Sequence, residues 1–440
     1  MVDVVVIGAG PGGLGFAHKW SALRGGHGVT VLEAGPELSE RLCWIDVGQG
    51  CRRVTSCDVL RGVGGASALA GGKISDFPAG SGLGHQMGNR ANVEVQLSDA
   101  LLELSGRVDL SPADHFPQTV RDYSSRMGAQ GIDFKYYPAY KYRQQALTAA
   151  WQEIADECRA RGVDIRSRTV AIDADPSKGS WAISTTGAIT ETLHARHLVI
   201  ATGRSTTPLT NSLGRLGLSV ANPPQIGVRL EFPAGSWTTM DECHNDLKLK
   251  WDGARTYCAS KEGRIAPYWL DGVLLAEGSC DAAVQTSWSN IAVVVDSTVE
   301  ERADTMNRAR KHSAGKLLRQ SLGSYIGGPS ASEDIVQRER WWRPGQVSHL
   351  YGPELHARIH KAVEHFSAKV MPTDAREKAF VYGPEVNQVA VRTPINGMTE
   401  DGARIWSVGE VTGLYRGILQ SFAAGRWLAQ QDLDATVSLQ

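Results

Sequence analysis

Residues 2–34 constrain this 440-residue chain more than any other stretch. They read VDVVVIGAGPGGLGFAHKWSALRGGHGVTVLEA. A short valine-rich run comes first, as in a strand buried on both faces. Gly8, Gly10 and Gly13 follow in the spacing G-x-G-x-x-G. A helical pattern comes next and stops at a glycine pair, and a second strand pattern, GVTVLEA, closes at Glu33. Glycine at the three spaced positions permits a tight turn, close approach of backbone to a ligand, and close helix–strand packing. Free N–H groups at a helix start suit a pyrophosphate, and an acid ending the second strand suits a ribose hydroxyl. The expected N-terminal structure is therefore a dinucleotide-binding unit. The spacing alone leaves NAD and FAD open.

Two later segments bear on that choice. HLVIATGRS (197–205) is an apolar strand pattern running into Thr202-Gly203. IWSVGEVTGLYRGILQSFAAGRWLAQQ (405–431) reads as a short strand, the Gly409-Glu410 pair, a turn at Gly413, and a helix from about Gly417. A helix N-terminus carries partial positive charge, and a reduced flavin carries negative charge near N1 and O2.

With these segments in hand, the chain resembles the bacterial FAD-dependent dehydrogenases related to the glutathione-reductase-type two-dinucleotide-binding flavoproteins. Besides the glycine fingerprint, Gly64-Gly65-Ala66-Ser67 leading to Gly72-Lys73 is similar to that family's GGAG-x-SDGK segment. IGVRLE (226–231), TYCASKEGRI (256–265) and VGEVTGLYRGILQSFAAG (408–425) are similar to three others. Two departures stand out: Ala70-Gly71 replace the family's Ser-Asp, and Glu410 replaces its aspartate. The resemblance implies FAD as cofactor, with the Ala-Thr-Gly strand beside it and Glu410 on the ribityl chain. It also implies that Arg41 contacts FAD, and that backbone near Gly64–Lys73 and at Gly413, Leu414, Gly417 and Ile418 holds the flavin ring.

The expected fold class is α/β: a Rossmann-like FAD-binding domain with a parallel sheet and a β-meander, plus a mixed α+β substrate domain. The three flavin segments lie far apart, so the FAD domain is expected to be discontinuous, over 1–84, 145–222 and 376–440. The substrate domain takes 85–144 and 223–375. Within these, 148–162 reads as an amphipathic helix, and 299–326 and 353–370 as helical stretches. The segment FKYYPAYKYR (134–143) is rich in tyrosine.

A formal net charge of −1 argues against nucleic acid as a partner. No stretch is long and apolar enough to suggest a membrane span, and MVDVVVIGA lacks the features of a secretion signal. A cytoplasmic location is expected, with the seven cysteines reduced. Cys43, Cys51 and Cys57 do not have metal or redox-pair spacing, and no metal site is expected.

The candidate chemistry centres on Lys73, the only charge in the glycine-rich stretch 62–75. It contacts FAD or substrate, or it faces solvent. Arg416 and Tyr415 sit in the turn before the last helix, where a cation favours anionic flavin or a substrate carboxylate. Arg229 and Glu231 alternate along one strand, so they share a face and form either a cavity wall or an ion pair. The expected activity is an FAD-dependent oxidoreductase of dehydrogenase or oxidase type. It passes a hydride between flavin N5 and a C–H or C–N bond of a small polar or acidic substrate. The electron acceptor stays open among O₂, quinone, NAD(P) and a protein, as does a homodimer. An NAD(P)H-dependent reductase or monooxygenase, and a non-catalytic flavin-bearing redox sensor or scaffold, are the alternatives.

Overall fold

A computed structural model describes residues 1–43, 45, 51, 57–111, 118–204, 208–218, 223–237, 247–328, 341–387 and 397–434. Five parallel strands form its first layer, in the order Asp164–Arg166, Val29–Leu32, Val2–Ile7, Thr192–Ile200 and Arg404–Ser407. The side chains of Val2–Ile7 alternate between two cores. Val4 and Val6 join the cluster under the helices, while Val5 and Ile7 join the cluster on the opposite face. A meander of Thr169–Ser177 and Ser180–Gly187 pairs antiparallel onto the first half of Thr192–Ile200. This is the expected Rossmann-like sheet with its meander.

Helix Pro11–Arg24 follows the first strand and packs on helix Ile418–Gln430. A Cβ at Gly15 would meet the Phe422 backbone, so glycine there sets how closely the two helices approach. Helix Arg90–Ser105 buries Val93, Leu97, Ala100 and Leu104 in this same core. Part of the stretch 85–144, expected in the substrate domain, thus packs with the parallel sheet. Helix Gln144–Ala160 lies in this core too.

The second layer is an eight-stranded sheet. Its order is Trp342–Pro344, Leu317–Ser321, Phe380–Asn387, Gln225–Pro233, Trp288–Asp296, Ala254–Ser260, Leu247–Trp251 and Asp133–Tyr136. All neighbours run antiparallel except the first pair. Helix Pro353–Lys369 packs against it and buries Leu355, Ile359, Val363 and Phe366 in its core. One expectation is corrected here. The stretch 299–326 is not helical throughout, because helix Val299–His312 ends in a turn with Ala314 and Gly315 at positive φ. Leu317–Ser321 then enters the sheet as a strand, and helix Leu322–Ile326 follows it. Among the described residues no helix is long and apolar enough to cross a membrane.

Candidate functional site

A cavity of about 510 Å³ runs between the two sheets. One end is built by the fingerprint. Helix Pro11–Arg24 starts at Gly10 with no side-chain cap and no acid in its first turn. The N–H groups of Gly12 and Gly13 have no partner among the described residues. Such a start binds anions through its amides and its dipole. The three spaced glycines differ in what surrounds them. A Cβ at Gly8 would strike the Ala201 carbonyl, and one at Gly13 would strike the Gly8 carbonyl. A Cβ at Gly10 would meet only the Gly65 Cα, at 3.6 Å.

Glu33 lines the cavity and is nearly buried. Its carboxylate accepts the N–H groups of Ala9, Gly35 and Gly62, each at 2.8 Å. It ties the fingerprint loop to the glycine-rich stretch, and one of its roughly four acceptor positions is left for a ligand. Arg41 is placed behind the wall. It does not line the cavity, and its guanidinium donates to the carbonyls of Asp58 and Val63 at 2.6 Å. Burial lowers that guanidinium to about 10.

The stretch 61–84 is a seam touched by separate parts of the chain near residues 10, 280 and 414–420. A Cβ at Gly65 would stand 2.8 Å from the Gly10 Cα. One at Gly72 would overlap the Cys280 carbonyl, one at Gly80 the Gln420 side chain, and one at Gly82 the Leu414 carbonyl. Gly64 donates to the Ala9 carbonyl, Ser67 donates to the Gly64 carbonyl, and Gly65, Ala66 and Ser67 line the cavity. Lys73 also lines it, and its ammonium donates to the Ala259 carbonyl of the second sheet at 2.7 Å.

The far end is built by the C-terminal segment. Gly409, Glu410, Gly413, Leu414, Tyr415, Arg416, Gly417 and Ile418 line it beside Thr202 and Gly203. Helix Ile418–Gln430 again starts without a side-chain cap or a first-turn acid. The Tyr415 hydroxyl is committed elsewhere: it accepts from the Gly409 N–H at 3.0 Å and donates to Gln86 Oε1 at 2.8 Å. Burial pushes that phenol well above its ordinary range.

Between the two ends runs a chain of alternating charges that crosses from one sheet to the other. Arg416 Nε lies 3.4 Å from Glu410 Oε1, and Arg204 Nε donates to the same oxygen at 2.9 Å. Arg204 also pairs with Glu277. Glu277 lies 3.4 Å from Arg229, whose fork donates to both oxygens of Glu385 at 2.8 and 2.9 Å. Burial pushes the Glu277 carboxyl up, but Arg204 and Arg229 outweigh it and bring it down to about 2. Burial keeps the Glu385 carboxyl above its ordinary range, against the pull of Arg229.

Arg229 is fully buried and does not line the cavity. It holds Glu385 and Glu277, which do line it. Glu231, on the same strand, accepts from the Tyr382 hydroxyl at 2.7 Å and stands outside the cavity lining. The pair expected as a cavity wall or an ion pair is therefore neither. Sequence reasoning missed Arg204, Glu277, Glu385, Asn387 and Lys248. Arg204 directly follows the Ala-Thr-Gly run, which was a usable signal.

Cys258 lines the cavity and Cys280 is buried near it. Burial pushes the Cys280 thiol to about 11, Lys73 notwithstanding. Cys57 is buried, and burial raises its thiol too. Among the described residues no group of His, Cys, Asp or Glu is arranged to hold a metal.

No family model matches the chain. No curated protein matches it either. Solved structures do. A glycine oxidase from Geobacillus kaustophilus is 16% identical, with 97% of this chain and 93% of that one covered and a TM-score of 0.41. A glycine oxidase from Bacillus cereus ATCC 14579 is 14% identical, with 100% and 99% covered and a TM-score of 0.41. NikD, described as an unusual amino acid oxidase essential for nikkomycin biosynthesis, is 13% identical, with 99% and 95% covered and a TM-score of 0.42. These three chains are oxidases by name.

Proposed function

We propose that this chain is an FAD-dependent oxidoreductase acting on a small polar substrate. One observation carries the reading: a single cavity joins two uncapped helix starts, at Gly10–Gly12 and at Gly417–Ile418, and opens onto a second, polar-walled sheet. The first start suits the pyrophosphate, and the missing side chain at Gly10, which lines the cavity, lets it approach the backbone. The second start suits a ring that gains negative charge on reduction. FAD, when bound, supplies a two-electron acceptor for a substrate hydride.

The rest is the work of this chain. The amides of Gly12 and Gly13 and the free position of Glu33 hold the dinucleotide. Lys73, Arg416 and the helix start at Ile418 set positive potential at the flavin end. Arg204, held by Glu410 and Glu277, fixes the second sheet against the parallel one, and the substrate lies between them. On this reading residues 1–84, 145–222 and 376–440 carry FAD, with helix Arg90–Ser105 added to them. The remainder of 85–144, with 223–375, carries the substrate.

The purified protein is expected to be yellow, or to become so on adding FAD. In anaerobic titration its flavin absorbance is expected to bleach with substrate and to persist with NADH or NADPH alone. Bleaching by NAD(P)H alone would make the chain a reductase or monooxygenase. A colourless protein that refuses FAD would sink the reading.

A further inference from the structure

The lysine- and tyrosine-rich segment 134–143 supplies most of two short strands that pair with cavity-lining ones, beside Lys248 and beside Lys73. Asp133–Tyr136 pairs with Leu247–Trp251, and the register sets Lys135 opposite Lys248. Ala139–Lys141 pairs with Lys73–Ser75, and the register sets Lys141 opposite Lys73. Like charges directly opposed in an antiparallel ladder repel and cost stability. Here the cost is incurred twice around one opening, since Lys73 and Lys248 both line the cavity.

The carboxylates that line the cavity are engaged elsewhere. Glu277, Glu385 and Glu410 are taken up by Arg204, Arg229 and Arg416. Glu33 holds backbone amides. Among the described residues no carboxylate lies within ion-pair distance of Lys135, Lys141 or Lys248. Lys248 instead rests 4.5 Å from the centre of the Tyr137 ring, which orients the ammonium without neutralising it. On the adjacent strand Tyr257 lines the cavity under Arg416, whose guanidinium lies 5.4 Å from the ring centre. Asn387 holds that guanidinium with a 2.7 Å hydrogen bond. The result is a cationic part of the cavity lined by Lys73, Lys248, Arg416 and Tyr257, with the Tyr137 ring against Lys248.

We propose that this pocket binds an oxyanion of the substrate, a carboxylate or a phosphate. Lys248, oriented by Tyr137, is the anchor, Lys73 and Arg416 flank it, and Tyr257 packs against the group that carries the charge. The proposal rests on FAD filling the rest of the cavity, and it names the substrate class for that site.

The test titrates the FAD-loaded protein with benzoate, phenyl phosphate and the neutral benzamide. Binding is read from the flavin spectrum and from tryptophan fluorescence. Benzoate or phenyl phosphate is expected to bind, the tighter of the two identifying the oxyanion, and benzamide to bind at least tenfold more weakly. Lys248→Met is expected to raise the anion Kd at least tenfold while FAD content holds and Tm in the absence of anion rises, since the same opposed charge is removed. Lys135→Met is expected to raise Tm in the absence of anion, by removing one opposed charge. Benzamide binding as tightly as the anions, or an anion Kd unmoved by Lys248→Met, would overturn the proposal. Loss of colour would instead defeat the FAD assignment, and the fluorescence arm would still decide for or against anion binding.

Discussion

At the scale of single residues, the glycines separate into those the fold needs and those a ligand needs. Gly10 has an ordinary φ of −76°, and a Cβ there would make only an ordinary contact, 3.6 Å from the Gly65 Cα. Gly10→Ala is therefore expected to leave Tm nearly unchanged while weakening FAD about tenfold, ~1.4 kcal/mol, by blocking close approach to the backbone. Gly72 has φ +95° and no room beside Cys280. Gly72→Ala is expected to cost about 3 kcal/mol or more in folding stability, read by denaturant melts with and without FAD. The spacing G-x-G-x-x-G was legible in the sequence, but the different reasons for its members were not. Gly8 is needed against Ala201 and Gly13 against Gly8, whereas Gly10 faces the cavity. Only the three-dimensional neighbours distinguish them.

At the scale of elements, the N-terminal strands and two long helices followed from apolar runs and glycine stops, and helices Gln144–Ala160 and Pro353–Lys369 formed where those patterns lay. The strand Leu317–Ser321 did not follow, because LLRQS suits a helix locally and becomes a strand by pairing with Phe380–Asn387. The charge chain was hidden for a similar reason. Arg204 meets partners 73 and 206 residues away, at Glu277 and Glu410, and no local pattern announces such pairs. Its consequences show in acid. Glu277 has a folded value of about 2, below its ordinary 4.5, so it adds stability that is fully present above about pH 4.5. That stability is lost as pH falls from there toward 2. Arg204→Gln takes away part of what holds Glu277 down. The acid limb of the stability–pH curve is then expected to move to higher pH, with about 2–4 kcal/mol lost at neutral pH. Thermal melts from pH 3 to 8 measure both. Arg204→Lys keeps the charge but loses the fork that spans two carboxylates, and is expected to fall between.

At the scale of the whole molecule, the cavity is lined by both sheets, so a ligand in it stabilises both together. With FAD at a hundred times its Kd, mass action adds about 2.7 kcal/mol. For a chain of this length that corresponds to a Tm increase of about 3 °C, expected in calorimetry as a shift of the whole transition and not of one part. The same arrangement governs how the protein is made. The first strand, Val2–Ile7, needs Thr192–Ile200 as its neighbour, and the first helix needs Ile418–Gln430. The glycine seam cannot settle until residues near 280, 414 and 420 exist for it to rest on. A ribosome therefore finishes nearly the entire chain before its opening thirty residues find their permanent surroundings. The cofactor site is among the last features of the nascent protein to close.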